Sequence, residues 1–327
     1  MPAARPEPDP FGGVSRRGLL AAGAAVLAAV LAAAVSVREA PVEPPAAPIL
    51  GVRPGYGPGS LSAVPNEAAV IRGIWMPGLD DGYNPQGLAV AGDSILVAAY
   101  RSESPEVHRG PCRVFRVDMA MGRAAGQLDV PPPCGHAGGL ATAAATRHLY
   151  VADTHTLFAT MLDDAVNGAA RFAVHPLGPG LVGALAVSGT DAIWLGAYRE
   201  NEPGRLYRFA AAALDALPDG AVLNVSDATF QIAIPSYAQG AAIDPGGHLW
   251  VARSTLRWGE LDRLDTASGR VEREYQAAPG IEGIAFDAAG RLWAVSEAGA
   301  RHYYEGWRGF VLPSYPLIVA IDSQRLN

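Results

Sequence analysis

The sequence predicts an all-β chain folded as a five-bladed β-propeller, and three observations predict it. One strand–turn–strand unit returns five times: NPQGLAVAGDSILVAAY from Asn84, HAGGLATAAATRHLYVADT from His136, VGALAVSGTDAIWLGAY from Val182, YAQGAAIDPGGHLWVARS from Tyr237 and GIEGIAFDAAGRLWAVS from Gly280. Two further apolar runs follow each of the first four pairs, so the chain divides into units of four strands. The fifth unit has only one, PLIVAID, and AAVIRGI (Ala68 to Ile74), far upstream, can complete it. A strand pair cannot bury both its faces alone, so the copies pack radially, and exchange of the terminal strands closes the ring and removes free sheet edges.

Within each pair the apolar runs are separated by a turn, DPGG before His248 or DAAG before Arg291, whose Asp and Gly suit a tight reversal. Asp118, Asp265 and Asp322 close third strands, and MGR or SGR follows the first two as hairpin turns. Tyr150, Trp194, Trp250 and Trp293 recur in the second strand and read as packing between blades. A six-bladed ring is the runner-up and needs one more four-strand unit. The only spare length, Phe209 to Ser226, reads as a helical turn and a loop. A two-sheet sandwich leaves the fivefold return of one unit without a reason.

The N-terminus precedes this domain. Ser15-Arg16-Arg17-Gly18-Leu19-Leu20 leads into an uncharged Ala/Leu/Val-rich run to Val37. It resembles the twin-arginine export signal, with Ala21 where a Lys is common, and residues 1–40 are expected to act as that signal or as an uncleaved membrane anchor. Residues 41–66, rich in Pro and Gly, read as a linker, and 67–327 as the propeller. The expected location is therefore extracytoplasmic (periplasmic, cell-envelope or secreted), with membrane contact only through the N-terminal segment. The net charge, 25 − 32 = −7, comes without a basic stripe, so nucleic acid is not an expected partner. The chain is expected to be a monomer.

Propeller topology places the starts of the inner strands and the ends of the second strands on one face, with the longer, more varied loops. Asn84, Gln86, His136, Tyr237, Gln239 and Glu282 fall at or beside inner-strand starts, while Tyr100, Tyr198 and Glu297 end second strands. A small residue follows the ring position, read as Gly87, Gly139, Gly183, Gly240 and Gly283, because the hub is too narrow for side chains. The polar ring has two readings. Its members satisfy one another and water, or Glu282 and His136 form an acid/base pair with Asn84, Gln86, Tyr100, Tyr198, Tyr237, Gln239 and Glu297 holding a ligand. Glu282 and Asn84 are also hard oxygen donors that suit calcium. No HExxH, clustered Cys or paired His occurs at metal spacing, so zinc is not expected. The remaining histidines, His108, His155, His175, His248 and His302, read mostly as solvent-facing loop or turn residues. No G-x-S-x-G elbow and no phosphate-binding loop in a strand–loop–helix context is present.

Cys112 and Cys134, the only cysteines, are expected to form a disulfide in an exported protein, contributing roughly 3 kcal/mol by loop closure.

The phrases AIDPGGHLWVARS and AFDAAGRLWAVSEAG resemble propellers of the NHL, gluconolactonase-like and streptogramin-lyase-like superfamily, from about Asn84 to the end. Metal-dependent lactonases of this kind hold a central ion by a Glu, an Asn and an Asp. The resemblance gives Glu282 and Asn84 two of those roles and leaves the Asp without a match. PQGLAVAGDSILVAAY followed by FRVDMAMGR also resembles the opening blade of five-bladed glutaminyl cyclases, but their second Glu-Gly signature falls on Ala137-Gly138-Gly139. Two functions follow as expectations. The first is a propeller that binds a small polar molecule or an extracytoplasmic protein on its loop-rich face, and it requires only the ring and the loops. The alternative is a calcium-dependent lactonase or hydrolase, a lyase or a cyclotransferase acting in the central channel.

Overall fold

The computed structural model describes residues 48–56, 61–102, 110–306 and 315–327. The export signal or anchor expected over 1–40 lies outside these residues, as does His108. Among the described residues no helix is long and apolar enough to cross a membrane.

Strand β1 (Val70–Trp75) precedes the blades in sequence. Blade one is β2 (Tyr83–Ala91), β3 (Ser94–Arg101), β4 (Cys112–Asp118) and β5 (Ala124–Val130). Blade two is β6 (Gly139–Ala143), β7 (His148–Ala152), β8 (Thr156–Met161) and β9 (Ala173–Pro176). Blade three is β10 (Ala184–Val187), β11 (Ala192–Ala197), β12 (Gly204–Ala210) and β13 (Phe230–Ile234). Blade four is β14 (Ala238–Ile243), β15 (Leu249–Thr255), β16 (Trp258–Leu264) and β17 (Val271–Ala277). Blade five is β18 (Ile281–Phe286), β19 (Leu292–Ser296) and β20 (Leu317–Ile321), with β1 as its outer strand. Five four-stranded antiparallel sheets result, and the inner strands β2, β6, β10, β14 and β18 adjoin in a closed ring. The spare length that six blades would need holds a short helix (Ala211–Asp215) and a 3-10 turn (Val225–Asp227) instead.

The turn chemistry is as the sequence implies. Gly247 and Gly290 adopt φ of 86° and 78°, a region costly for any residue with a Cβ. The Asp of the same turn reaches into its blade. Asp287 Oδ2 accepts from Trp293 Nε1 at 2.9 Å and from Arg291 Nε at 2.7 Å, and Asp244 Oδ2 accepts from Trp250 Nε1 at 2.9 Å. These Asp–Trp pairs let a large ring fill the space between blades while its N–H stays satisfied.

Three features differ from the sequence reading. Within the linker expected over 41–66, Leu50 and Tyr56 of the described residues 48–56 are tied to the propeller. Leu50 bridges to Ile74, donating to Gly73 O and accepting from Trp75 N, both at 2.9 Å. Tyr56 Oη donates to Gly299 O at 2.7 Å. Apolar residues in this stretch find apolar blade surface, and Pro/Gly content alone does not reveal that. In blade three, Leu185 and not Gly183 takes the glycine position, as the pairing of Val187 with Trp194 fixes the register. His175 is buried in β9, paired with Leu157, and its Nδ1 lacks a partner.

Asp287→Ala strands the Trp293 N–H inside the blade, and urea unfolding should show a loss of about 1–3 kcal/mol. Truncation tests the packed linker and the exchanged strand. A chain starting at Pro48 should melt like full-length protein, and one starting at Leu61 should melt lower in a thermal scan. Removal through Trp75 bares the β20 edge and should give aggregates by light scattering.

Candidate functional site

One register applies to all five blades. Ala89, Ala141, Val187, Ala242 and Ala285 of the inner strands pair with Leu96, Tyr150, Trp194, Trp250 and Trp293 of the second strands. Two residues before each alanine-like position stand Gly87, Gly139, Leu185, Gly240 and Gly283. One further back stand Gln86, Gly138, Ala184, Gln239 and Glu282. Four residues beyond each second-strand aromatic or leucine come Tyr100, Thr154, Tyr198, Ser254 and Glu297. These are two stacked rings of equivalent positions.

Above the hub they open into a cavity of about 810 Å³ on the face where the inner strands begin. Gln86, His136, Tyr198, Gln239, Glu282 and Glu297, all named from the sequence, line it, together with Asp153, Arg199 and Tyr303. Asn84, Tyr100 and Tyr237 do not line it. Asn84 pairs with Tyr100 across β2 and β3 and is fully buried, and among the described residues neither its Oδ1 nor its Nδ2 has a partner within hydrogen-bond geometry. Tyr237, at φ 61°, stands edge-on between Tyr198 and Trp258, with ring centroids 6.4 Å and 5.5 Å away.

Glu282 and Glu297 form the electrostatic centre. They are 2% and 8% exposed, and among the described residues neither forms an ion pair with Arg or His. Burial pushes both carboxyls up from the ordinary value, and the neighbouring Glu297 pushes Glu282 further. Glu297 is raised to about 7, with burial opposed by hydrogen bonding from Gln86 and Tyr303. Gln86 Nε2 donates to Glu297 Oε2 at 2.7 Å, and the Tyr100 and Tyr303 hydroxyls are 3.4 Å apart. Tyr303 comes from a short helix (Arg301–Gly306) after β19, a contribution that its position in a long loop conceals in the sequence. Glu282 thus interacts with Glu297, while the His136 ring packs on Tyr100 at 5.5 Å.

Asp153, at the end of a second strand, anchors the other wall. Its Oδ1 accepts from the backbone N–H groups of Gly135, His136 and Ala137 at 3.3, 2.7 and 2.9 Å. That fixes the turn presenting His136. Beside it, Cys112 and Cys134 are free, buried thiols. The disulfide expected from the sequence is not formed, although both sulfurs and an Asp153 carboxylate oxygen lie within 4.8 Å of one another. For calcium, Glu282 and the amides of Gln86 and Gln239 share the cavity, whereas Asn84 does not line it.

No family model matches the chain, and no curated protein matches its sequence. Among solved structures, glutaminyl cyclase of Myxococcus xanthus superposes with a TM-score of 0.50 at 11% identity, over 77% of this chain and 94% of that one. Virginiamycin B lyase of Staphylococcus aureus gives 0.38 at 12% identity, over 68% and 66%. Hydrazine synthase of Kuenenia stuttgartiensis gives 0.38 at 13%, over 65% and 55%. At 11% identity the likeness to the cyclase is one of fold alone: the chain is a five-bladed propeller.

The folded chain keeps protons on Glu282 and Glu297 at pH values where the unfolded chain has released them. Stability from this source is complete below about pH 4.5 and is lost as pH rises through about 7. The melting temperature should therefore fall on going from about pH 5 to pH 8. Glu282→Gln, which stays uncharged, should flatten that fall and melt higher than wild type at the alkaline end.

Proposed function

We propose that the chain is an enzyme that performs acid–base catalysis on a small polar molecule in its channel, as a hydrolase, lyase or cyclotransferase. The supporting observation is the pair of buried carboxyls, without a cationic partner, at the wall of an open cavity. A binding surface alone has no use for two such groups, because burying them costs stability whenever both ionise. This favours catalysis over a purely binding propeller.

The environments assign the roles. Glu297 accepts a hydrogen bond from Gln86, which favours its charged form, so it is the general base. Glu282 is pushed up by burial and by Glu297, which favours its protonated form, and is the general acid. Gln86 holds Glu297 in place, and Gln239, Tyr198 and Tyr303 present polar groups that orient the substrate. One protonated and one ionised carboxyl let the site give and take a proton without bearing two charges. In the cell the enzyme acts outside the cytoplasm, where residues 1–40 direct it. Calcium held at Glu282 is the competing form of the same proposal.

The test is turnover on a panel of lactones, esters, amides and peptides with N-terminal glutamine, with and without chelator. Glu282→Gln and Glu297→Gln should each lower the rate by about 10²–10⁴-fold. The pH–rate limb near 7 should vanish in Glu297→Gln. Unchanged rates in both variants defeat the assignment, and activity lost with chelator and restored by calcium but not by zinc selects the calcium form.

A further inference from the structure

The channel chemistry leaves the two cysteines unused, yet the fold gathers them with a carboxylate. Cys112 opens β4, where it pairs with Tyr100 of β3 and Val130 of β5. Cys134 lies in the connection to blade two, and Asp153 follows β7. Three separate elements of two blades thus converge, and all three side chains are buried. Their ligand atoms lie within 4.8 Å of one another, with Cys134 Sγ 3.7 Å from Asp153 Oδ1.

We propose that Cys112, Cys134 and Asp153 form a binding site for a thiophilic divalent metal, zinc in the first place. A sulfur and an oxygen bound tetrahedrally to one zinc at about 2.3 and 2.0 Å stand roughly 3.5 Å apart, close to the separation found here. The carboxylate is held ready. Three backbone N–H groups bonded to Oδ1 hold the carboxylate in a fixed orientation beside the sulfurs, as an outer hydrogen-bond shell does in metal sites. Two thiolates and one carboxylate bring three negative charges. The ion offsets two, and the three N–H dipoles face the remainder. Thiolates select a soft or borderline ion over calcium or magnesium. Asp153 also lines the cavity, so a fourth ligand can reach the ion as water from that side. A disulfide would engage only the two sulfurs, whereas a metal engages the carboxylate gathered beside them as well. The bound ion ties blade one to blade two and secures the turn that carries His136. None of this depends on the acid–base reading of Glu282 and Glu297.

The test uses the full-length protein, purified without chelator or reductant. Metal analysis should give close to one zinc per chain. Alkylation should spare both thiols until a chelator is added, and the chelator should lower the melting temperature. Cobalt exchanged into the wild-type protein should add a thiolate-to-cobalt charge-transfer band, a readout that requires no variant to fold. Cys112→Ser and Asp153→Asn should each weaken zinc binding by at least tenfold, and Asp153→Asn should keep the thiols reactive in the same alkylation assay. A chain lighter by two hydrogens than its reduced form contains the disulfide and overturns the proposal. Wild-type protein that is reduced, folded and takes up neither zinc nor cobalt also overturns it.

Discussion

The inner strands of the five blades approach one another so closely at the axis that backbone meets backbone. A Cβ on Gly283 would stand 2.6 Å from Gln86 O, and one on Gly87 2.6 Å from the carbonyl carbon of Gly139. A Cβ on Gly240 would press on the Glu282 carbonyl oxygen. Separations this short are not available to real side chains, so the glycines set the radius of the hub. The preceding residue on each strand points to the other face of the pleat. That alternation explains how a fold with an apolar interior comes to hold Gln86, Gln239 and Glu282 around one cavity. Where blade three carries Leu185 in place of glycine, the cavity wall is apolar at that point.

Closure and the carboxyl pair share a blade. β20 is held between β19 and the upstream strand β1, Glu282 lies in the inner strand of that sheet, and Glu297 directly follows its second strand. Ile74 of β1, Trp293 of β19 and Ile318 of β20 lie in one core cluster with Tyr303. Tyr56 holds the carbonyl of Gly299, two residues beyond Glu297, and Arg301 stacks over the same ring at 6.0 Å. The segment ahead of the first strand thereby braces the loop that delivers Tyr303 to the carboxyl pair.

The fold was legible because it rests on local signals: a strand pair repeated with its turn, glycines at fixed places, and a missing outer strand that the upstream segment could supply. Ring residues such as Gln86, Gln239 and Glu282 were legible for the same reason, since equivalent repeat positions occupy equivalent places in space. What the repeat does not encode was not legible. Asp153 is one member of its ring of equivalent positions, and its bonds to Gly135, His136 and Ala137 exist only once blades one and two are side by side. Counting cysteines suggested a disulfide because the third partner is a carboxylate, which no cysteine spacing announces. The brace at Leu50 and Tyr56 was hidden because a Pro/Gly-rich segment looks alike whether it is pinned or free.

The fold is able to give a buried acid a cation when only stability is at stake. Asp262 in β16 is fully buried, and Arg253 of the adjacent strand reaches its Oδ2 at 3.2 Å. Even so, burial, partly offset by Arg253, raises its carboxyl to about 6. Glu282 and Glu297 are also buried, and among the described residues neither receives such a partner. Arg199, which lines the same cavity, is engaged by Glu202 at 3.7 Å and by the Tyr198 carbonyl oxygen at 2.9 Å. A cation against the carboxyl pair would drive both groups to ionise and fix them as acceptors. Without one, burial and the mutual repulsion of the two groups favour their protonated forms, which costs the native state stability at alkaline pH.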